Sequence, residues 1–174
     1  MTKVERIQWF METMRDFVNT EDAGDYLLSK GFFTSPASTK YHGNYEGGLF
    51  DHSRSVTEAL VELTRNNNLK WQHERSPWVV GMFHDLCKCD SYKEVNGVYQ
   101  YNTDTLLSGH GDKSVMIAST LLKLTEEEVM CIRYHMGAFT EKEEWNKYTG
   151  AIHSYPNVLW THQADMIASH VKGV

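Results

Sequence analysis

Only three prolines, at positions 36, 77 and 156, interrupt 174 residues. This sparing use of chain breakers leaves long stretches free to run as helix. Val4, Ile7, Phe10, Met11, Met14, Phe17 and Val18 fall at three- and four-residue intervals and predict a first helix with one apolar stripe. A second is predicted from about Asp22 to Lys30, stopped by Gly31. Residues 31–48, with Pro36, Gly43 and Gly47-Gly48, read as a long loop, and loops of that length inside a compact domain usually carry function. Helical spacing resumes at Leu49 and ends in Asn66-Asn67-Asn68. Ser76-Pro77 reads as the N-cap and first turn of a helix through Leu86, apolar nearly all round and therefore expected at the centre. Asn96-Gly97 among tyrosines and valines predicts one β-hairpin over about residues 91–102. Helices follow at about 111–123 and 126–135, the latter opened by the capping box Thr125-x-x-Glu128; Thr140-x-x-Glu143 reads as a second box. Pro156 opens the last helix, which runs to about His170. The expected fold is all-α, a helical bundle with one small hairpin. It is expected as a single domain over residues 1–174, with N-terminal helices in 1–30 and the functional core in 49–170.

Charge narrows the partners. Seventeen Lys and Arg stand against 23 Asp and Glu, a net charge of −6, so no general attraction for long nucleic acid is expected, while a small anionic ligand fits. The longest uncharged apolar run, Pro77 to Phe83, is far short of the roughly 20 residues a membrane span needs. The opening Met1-Thr2-Lys3-Val4-Glu5-Arg6 has no secretion-signal pattern. A cytoplasmic protein without a membrane partner is the expectation, and no pattern fixes an oligomeric state. Cys87, Cys89 and Cys131 are an odd, sparse set and read as reduced buried thiols.

The nine histidines carry the chemistry. His52, the adjacent pair His84-Asp85, His110, His135 and Asp165 fall one per successive predicted helix, the pattern by which facing helices build a metal site in a bundle core. A lone histidine on an apolar helix is ordinarily a hydrogen-bonded core residue. His84-Asp85 is different, because the pair lies on a helix too apolar to meet water. A buried carboxylate without a partner costs several kcal/mol, which a metal ion offsets. Imidazole and carboxylate together suit Mn, Fe, Co, Ni or Zn better than Mg.

This arrangement of His52, His84-Asp85, His110, His135 and Asp165 resembles the HD-domain superfamily of metal-dependent phosphohydrolases. Two neighbouring stretches narrow the likeness. Pro36-Ala37, His42 and Gly47-Gly48-Leu49-Phe50-Asp51-His52-Ser53 look like the segment around the first histidine of the HD module in bacterial 3′–5′ exoribonucleases, and His84-Asp85-Leu86-Cys87-Lys88 looks like an HD-x-x-K core. Without room for the accessory nucleic-acid domain of those nucleases, the chain looks more like small stand-alone HD proteins of phages and prophages. The resemblance implies one or two divalent transition metals. His52, His84, Asp85 and Asp165 would bind the first, and Asp85 would bridge to a second held by His110 and His135. It further implies that metal-activated water cleaves a phosphoester bond of a nucleotide, cyclic nucleotide or short oligonucleotide. With Met136 after His135, the second position has one histidine fewer than many dinuclear relatives. Three readings follow: solvent and substrate fill the second position, it binds weakly, or one metal works alone, with His110 and His135 as acid/base or phosphate-contacting groups around it. Two other classes share the pattern: HD-type mixed-valent di-iron oxygenases, and non-catalytic HD modules that bind a nucleotide.

Further candidates surround the six. Lys88 is read as a catalytic or phosphate contact, with an exposed helix-end lysine as the alternative. His42 belongs where a substrate contact would sit, or on the surface. Arg54 is a substrate contact or a salt-bridge partner, and Lys113 stands at a helix N-terminus, which favours anions. His162 either orients the site or packs. Tyr41, Tyr45 and Tyr92 are candidates to stack a base or to fill the core. Asp104, Asp112 and Glu126-Glu127-Glu128 read as solvated surface or helix N-terminal charge.

Overall fold

The computed structural model describes residues 1–174 and contains eight α-helices and one two-stranded antiparallel hairpin, so the fold is mostly α as expected. Helix α1 (Lys3–Met14) starts at a capping box the hydrophobic pattern did not reveal. Thr2 Oγ1 accepts from the Glu5 amide at 3.3 Å, and Glu5 Oε2 accepts from the Thr2 amide at 2.7 Å. Its stripe buries Phe10 and Met14, and with them Arg6, whose guanidinium grips Asp51 at 3.0 and 2.8 Å. Helix α2 (Thr20–Ser29) is capped by Asn19 and followed by Gly31 at φ +80°. The loop before α3 (Gly48–Asn67) is far from solvated. Phe32 and Phe33 are fully buried, and Phe33 packs edge-on to Phe10 and tilted against Phe50. Gly47 (φ +81°) lies under Arg6, and a Cβ on Gly48 would come within 2.0 Å of the Gly43 carbonyl oxygen, so this glycine pair lets the loop fold back on the start of α3.

Helix α4 (Ser76–Phe83) is central as expected, seven of its eight residues being buried. Two expectations about it need correction. Ser76 is not the N-cap: it lies inside the first turn and its hydroxyl donates to the buried Glu128 carboxylate at 3.0 Å. The helix also ends at Phe83, three residues early, and gives way to a 3-10 turn at Leu86–Cys89. Strands β1 (Tyr92–Val95) and β2 (Val98–Tyr101) pair across Asn96 (φ 54°) and Gly97 (φ 78°), the left-handed pair the turn needs. Helix α5 (His110–Leu121) is followed by α6 (Glu126–Arg133), which begins at the expected Thr125–Glu128 box. Thr140–Glu143 is no capping box. Two 3-10 turns (Gly137–Phe139 and Lys142–Glu144) lead into α7 (Trp145–Ser154), and the Thr140 carbonyl instead accepts from the Trp145 indole at 2.8 Å. Helix α8 (Asn157–Met166) follows Pro156 and widens into a π-helical stretch at Ile167–Lys172.

One connected core of 26 buried residues joins α1 to the end of α8. Glycines set the closest approaches. At Gly81 on α4 a Cβ would lie 2.5 Å from the Thr57 Cα on α3, and at Gly111 on α5 one would lie 2.0 Å from the Arg133 carbonyl oxygen on α6. The acidic run at the start of α6 is also not solvated: Glu127 and Glu128 are buried. Glu127 accepts from Asn157 and the Gln72 amide, and Glu128 from Arg75, Ser76 and the Thr125 amide. No helix is long and apolar enough to cross a membrane.

Candidate metal centre

His52 projects from the second turn of α3, His84 terminates α4, His110 is the first residue of α5, His135 lies just past α6, and Asp165 stands near the end of α8. Adjacent helical residues point about 100° apart, so on a continuing helix His84 and Asp85 share a focus only close against the helix. The early end of α4 removes that obstacle. Asp85 leaves the helix with φ −109° and ψ 20°, and the turn brings its carboxylate round to His84 Nε2.

All six side chains meet. On one side, Asp85 Oδ2 lies 3.5 Å from His52 Nε2 and 3.4 Å from His84 Nε2, and Asp165 Oδ1 lies 3.2 Å from His52 Nε2. On the other side, Asp85 Oδ1 lies 3.0 Å from His110 Nε2 and 3.4 Å from His135 Nε2. The carboxylate of Asp85 therefore gives one oxygen to each half of the cluster. His52, His84, Asp85 and His135 are almost wholly buried, while the His110 side chain, 35% exposed, and that of Asp165, 16% exposed, face outward.

The donor chemistry of this cluster fits a cation. Three of the four imidazoles point Nδ1 at a backbone carbonyl: His52 at Val174 (2.8 Å), His84 at Gly81 (2.8 Å) and His135 at Ile132 (2.7 Å). A carbonyl only accepts, so each Nδ1 carries a proton, and in the neutral ring each Nε2 presents a lone pair. The Nε2 atoms of His52 and His84 then face each other at 3.3 Å, lone pair against lone pair. Asp85 Oδ1 is buried and no hydrogen bond reaches it. Both features are costly among neutral groups and are relieved by a positive ion between them. Burial opposes ionisation of Asp85, yet the Lys88 ammonium 2.7 Å away outweighs it and holds the carboxyl well below the usual range. Burial pushes the His84 imidazole down, which keeps it in the neutral, ligating form.

The exposed side of the cluster forms the floor of a cleft of about 510 Å³. Lys88 is not an exposed helix-end lysine: it is mostly buried on the 3-10 turn, its Nζ 2.7 Å from Asp85 Oδ2, and this partner raises its pKa despite burial. Lys113 lines the same cleft, buried, with its ammonium on Asp90 Oδ1. His42 also lines the cleft, its ring 4.8 Å from that of His52; burial pushes its pKa down to about 4, and its Nε2 is buried without a partner. Arg54 is not brought to the site. It pairs with Glu58 at 2.8 Å, lies over the Trp9 ring and lines a separate groove. Tyr41 and Tyr92 line the cleft, whereas Tyr45 bonds Asp51 elsewhere. Asp104 and Asp112 pair at the surface with Lys93 and Arg133. His162 reaches the edge of the cluster, its Nδ1 donating to the His135 carbonyl at 2.9 Å.

Several contributors carried no local signal. Val174, 122 residues from His52, supplies the carbonyl that sets that ring. Tyr101 and Phe139 are exposed on the cleft wall. Cys87, read only as a buried thiol, has a pKa raised by burial to about 12 and lies 3.1 Å from His110 Nδ1. Its place one turn from the His84-Asp85 pair was the available hint. Comparison with family models, curated proteins and solved structures finds no match to the chain.

Proposed function

We propose that the protein is a metal-dependent phosphohydrolase of the HD type, acting on a phosphoester bond of a nucleotide, cyclic nucleotide or short oligonucleotide. The observation that carries this reading is the division of Asp85, one carboxylate oxygen toward His52 and His84 and the other toward His110 and His135, beneath a cleft lined by two lysines. His52, His84, Asp85 and Asp165 would hold one divalent ion, and Asp85, His110 and His135 a second. When bound, such ions supply Lewis acidity toward a phosphoryl group and make water a nucleophile near neutral pH. The chain's own residues do the rest. Lys88 and Lys113 place two ammonium groups where a phosphate would enter, and His42 offers an unpartnered ring nitrogen next to them. Tyr41, Tyr92 and Tyr101 on the cleft wall offer faces on which a base can stack. A cleft of this size suits a nucleotide or dinucleotide better than a long strand, in keeping with the acidic chain.

The test is a panel of mono-, di-, cyclic and triphosphate nucleotides and short oligonucleotides, each with Mn²⁺, Fe²⁺, Co²⁺, Ni²⁺ or Zn²⁺ and without oxygen. Hydrolysis of at least one substrate, abolished in Asp85→Ala together with metal retention, is expected. Iron-dependent uptake of O₂ with no hydrolysis would assign the oxygenase class instead. Nucleotide binding without turnover under every metal would leave a binding module.

A further inference from the structure

A large aromatic ring stands exposed beside each half of the cluster. Tyr92 and Tyr101 are cross-strand partners in the hairpin, so their side chains share one face, with ring centroids 5.5 Å apart. Both line the cleft, and Tyr101 is 71% exposed. This pair adjoins the half built by His52 and His84. Burial raises the Tyr92 hydroxyl, and the Lys88 ammonium, itself on Asp85 Oδ2, is near enough to oppose the rise. The second ring is held from the other side. Gly137 (φ +56°) lies against His162, where a Cβ would come within 2.4 Å of the imidazole. The 3-10 turn that Gly137 begins sets Phe139 edge-on to that imidazole, 6.5 Å between centroids, and leaves Phe139 66% exposed on the cleft wall. His162 donates to the His135 carbonyl, so Phe139 adjoins the half built by His110 and His135. Rings held in place yet largely uncovered suit flat apolar groups of a ligand.

Charge sets a second limit. Lys88 and Lys113 are the only lysines lining the cleft, and no arginine lines it. Each ammonium already rests on a carboxylate, Lys88 on Asp85 and Lys113 on Asp90. A phosphate monoester carries about two negative charges near neutral pH. A triphosphate carries more, and a diester carries a single one. The cleft is poor in the free cations a polyphosphate needs and rich in rings on both sides of its floor. We propose that the substrate is a dinucleoside monophosphate, a phosphodiester with a base on each side of the scissile phosphorus, one base lying on Tyr101 and the other on Phe139. Water's oxygen bonds to phosphorus as one P–O ester bond breaks, and the leaving oxygen takes a proton. The products are a mononucleotide and a nucleoside.

The inference rests on the hydrolytic activity proposed for the cluster, and binding separates the two. In chelator, where nothing turns over, a dinucleoside monophosphate is expected to bind more tightly than a mononucleotide or a nucleoside triphosphate. Tyr101→Ala and Phe139→Ala are each expected to weaken it by about 5–150-fold, which is what stacking one base on an aromatic ring carries. Both side chains are exposed, so neither substitution empties the core. Tyr101→Phe and Phe139→Tyr keep a ring and are expected to keep the affinity. In turnover with Mn²⁺ or Co²⁺, the alanine variants are expected to raise KM for the dinucleoside monophosphate more than they lower kcat. A nucleoside methyl phosphate, which lacks one base, is expected to respond to one of them much more strongly than to the other. Preference for a monoester or triphosphate, or affinity indifferent to both rings, overturns the two-base substrate and leaves the hydrolase standing. Ring-dependent binding without hydrolysis under any ion overturns the hydrolase and keeps the two-base ligand. Self-association that Phe139→Ala abolishes, with nucleotide affinity unchanged, would assign the rings to a second copy of the chain and overturns the proposal.

Discussion

At the scale of single residues, the cluster is expensive for the fold that carries it. His42 and His84 are kept neutral by burial, His42 with a pKa near 4, so the folded chain refuses protons that an unfolded chain accepts below about 6.5. Because the unfolded state binds more protons in that window, stability must rise with pH across it: full above about 6.5, progressively lost toward 4. Metal-free protein is therefore expected to melt at a lower temperature at pH 5 than at pH 7, and His42→Gln to flatten that dependence; thermal denaturation at the two pH values checks it, and an equal slope in the variant contradicts it. The six clustering residues were legible in sequence because few other arrangements make a buried carboxylate beside imidazoles tolerable. Arg54 and Lys113 were legible only as charges. Which of them reaches the cleft depends on a helix face for one and on Asp90, across the turn, for the other.

Among the elements, the pairing of α3 with α4 sets the distance between His52 and His84, and Gly81 sets that pairing by resting on the Thr57 backbone. Gly81→Ala must push the helices apart or strain the contact. A loss of about 1–3 kcal/mol in urea denaturation is expected, as for other overpacked sites, together with weaker metal retention. A fully stable variant with unchanged metal content would show that the contact is slack. Helix starts marked by Thr125–Glu128 and the Asn96-Gly97 turn were readable, because in each a side chain or a left-handed backbone acts on its own neighbourhood. The end of α4 was not. His84 and Asp85 continue an apolar helical pattern, and only their shared focus with side chains from α3, α5 and α8 draws the backbone out of it. Thr140–Glu143 failed for the complementary reason: the spacing was present, but the Trp145 indole claims the Thr140 carbonyl and the chain turns as 3-10 helix.

For the whole molecule, the facing nitrogens and the buried Asp85 oxygen would make binding of an ion and folding one linked equilibrium. An ion at a hundred times its dissociation constant adds about 2.7 kcal/mol. For a chain of this size that corresponds to a melting point raised by roughly 5–10 °C. Differential scanning calorimetry with Mn²⁺, Co²⁺ or Zn²⁺, reversed by chelator, is the measurement, and a melting point indifferent to every ion counts against the centre. The all-α class with its hairpin followed from proline scarcity and periodicity, which act over whole segments. The burial of Glu127 and Glu128 did not, since their partners Asn157 and Arg75 arrive from distant parts of the chain.

The carbonyl of Val174 that turns the His52 ring has a bearing on biosynthesis. A ribosome delivers His52 early, but the group that orients it emerges 122 residues afterwards, following Asp165. The orientation of that ring is therefore settled only when the stretch after Asp165 has docked against α3, so it depends on everything folded in between.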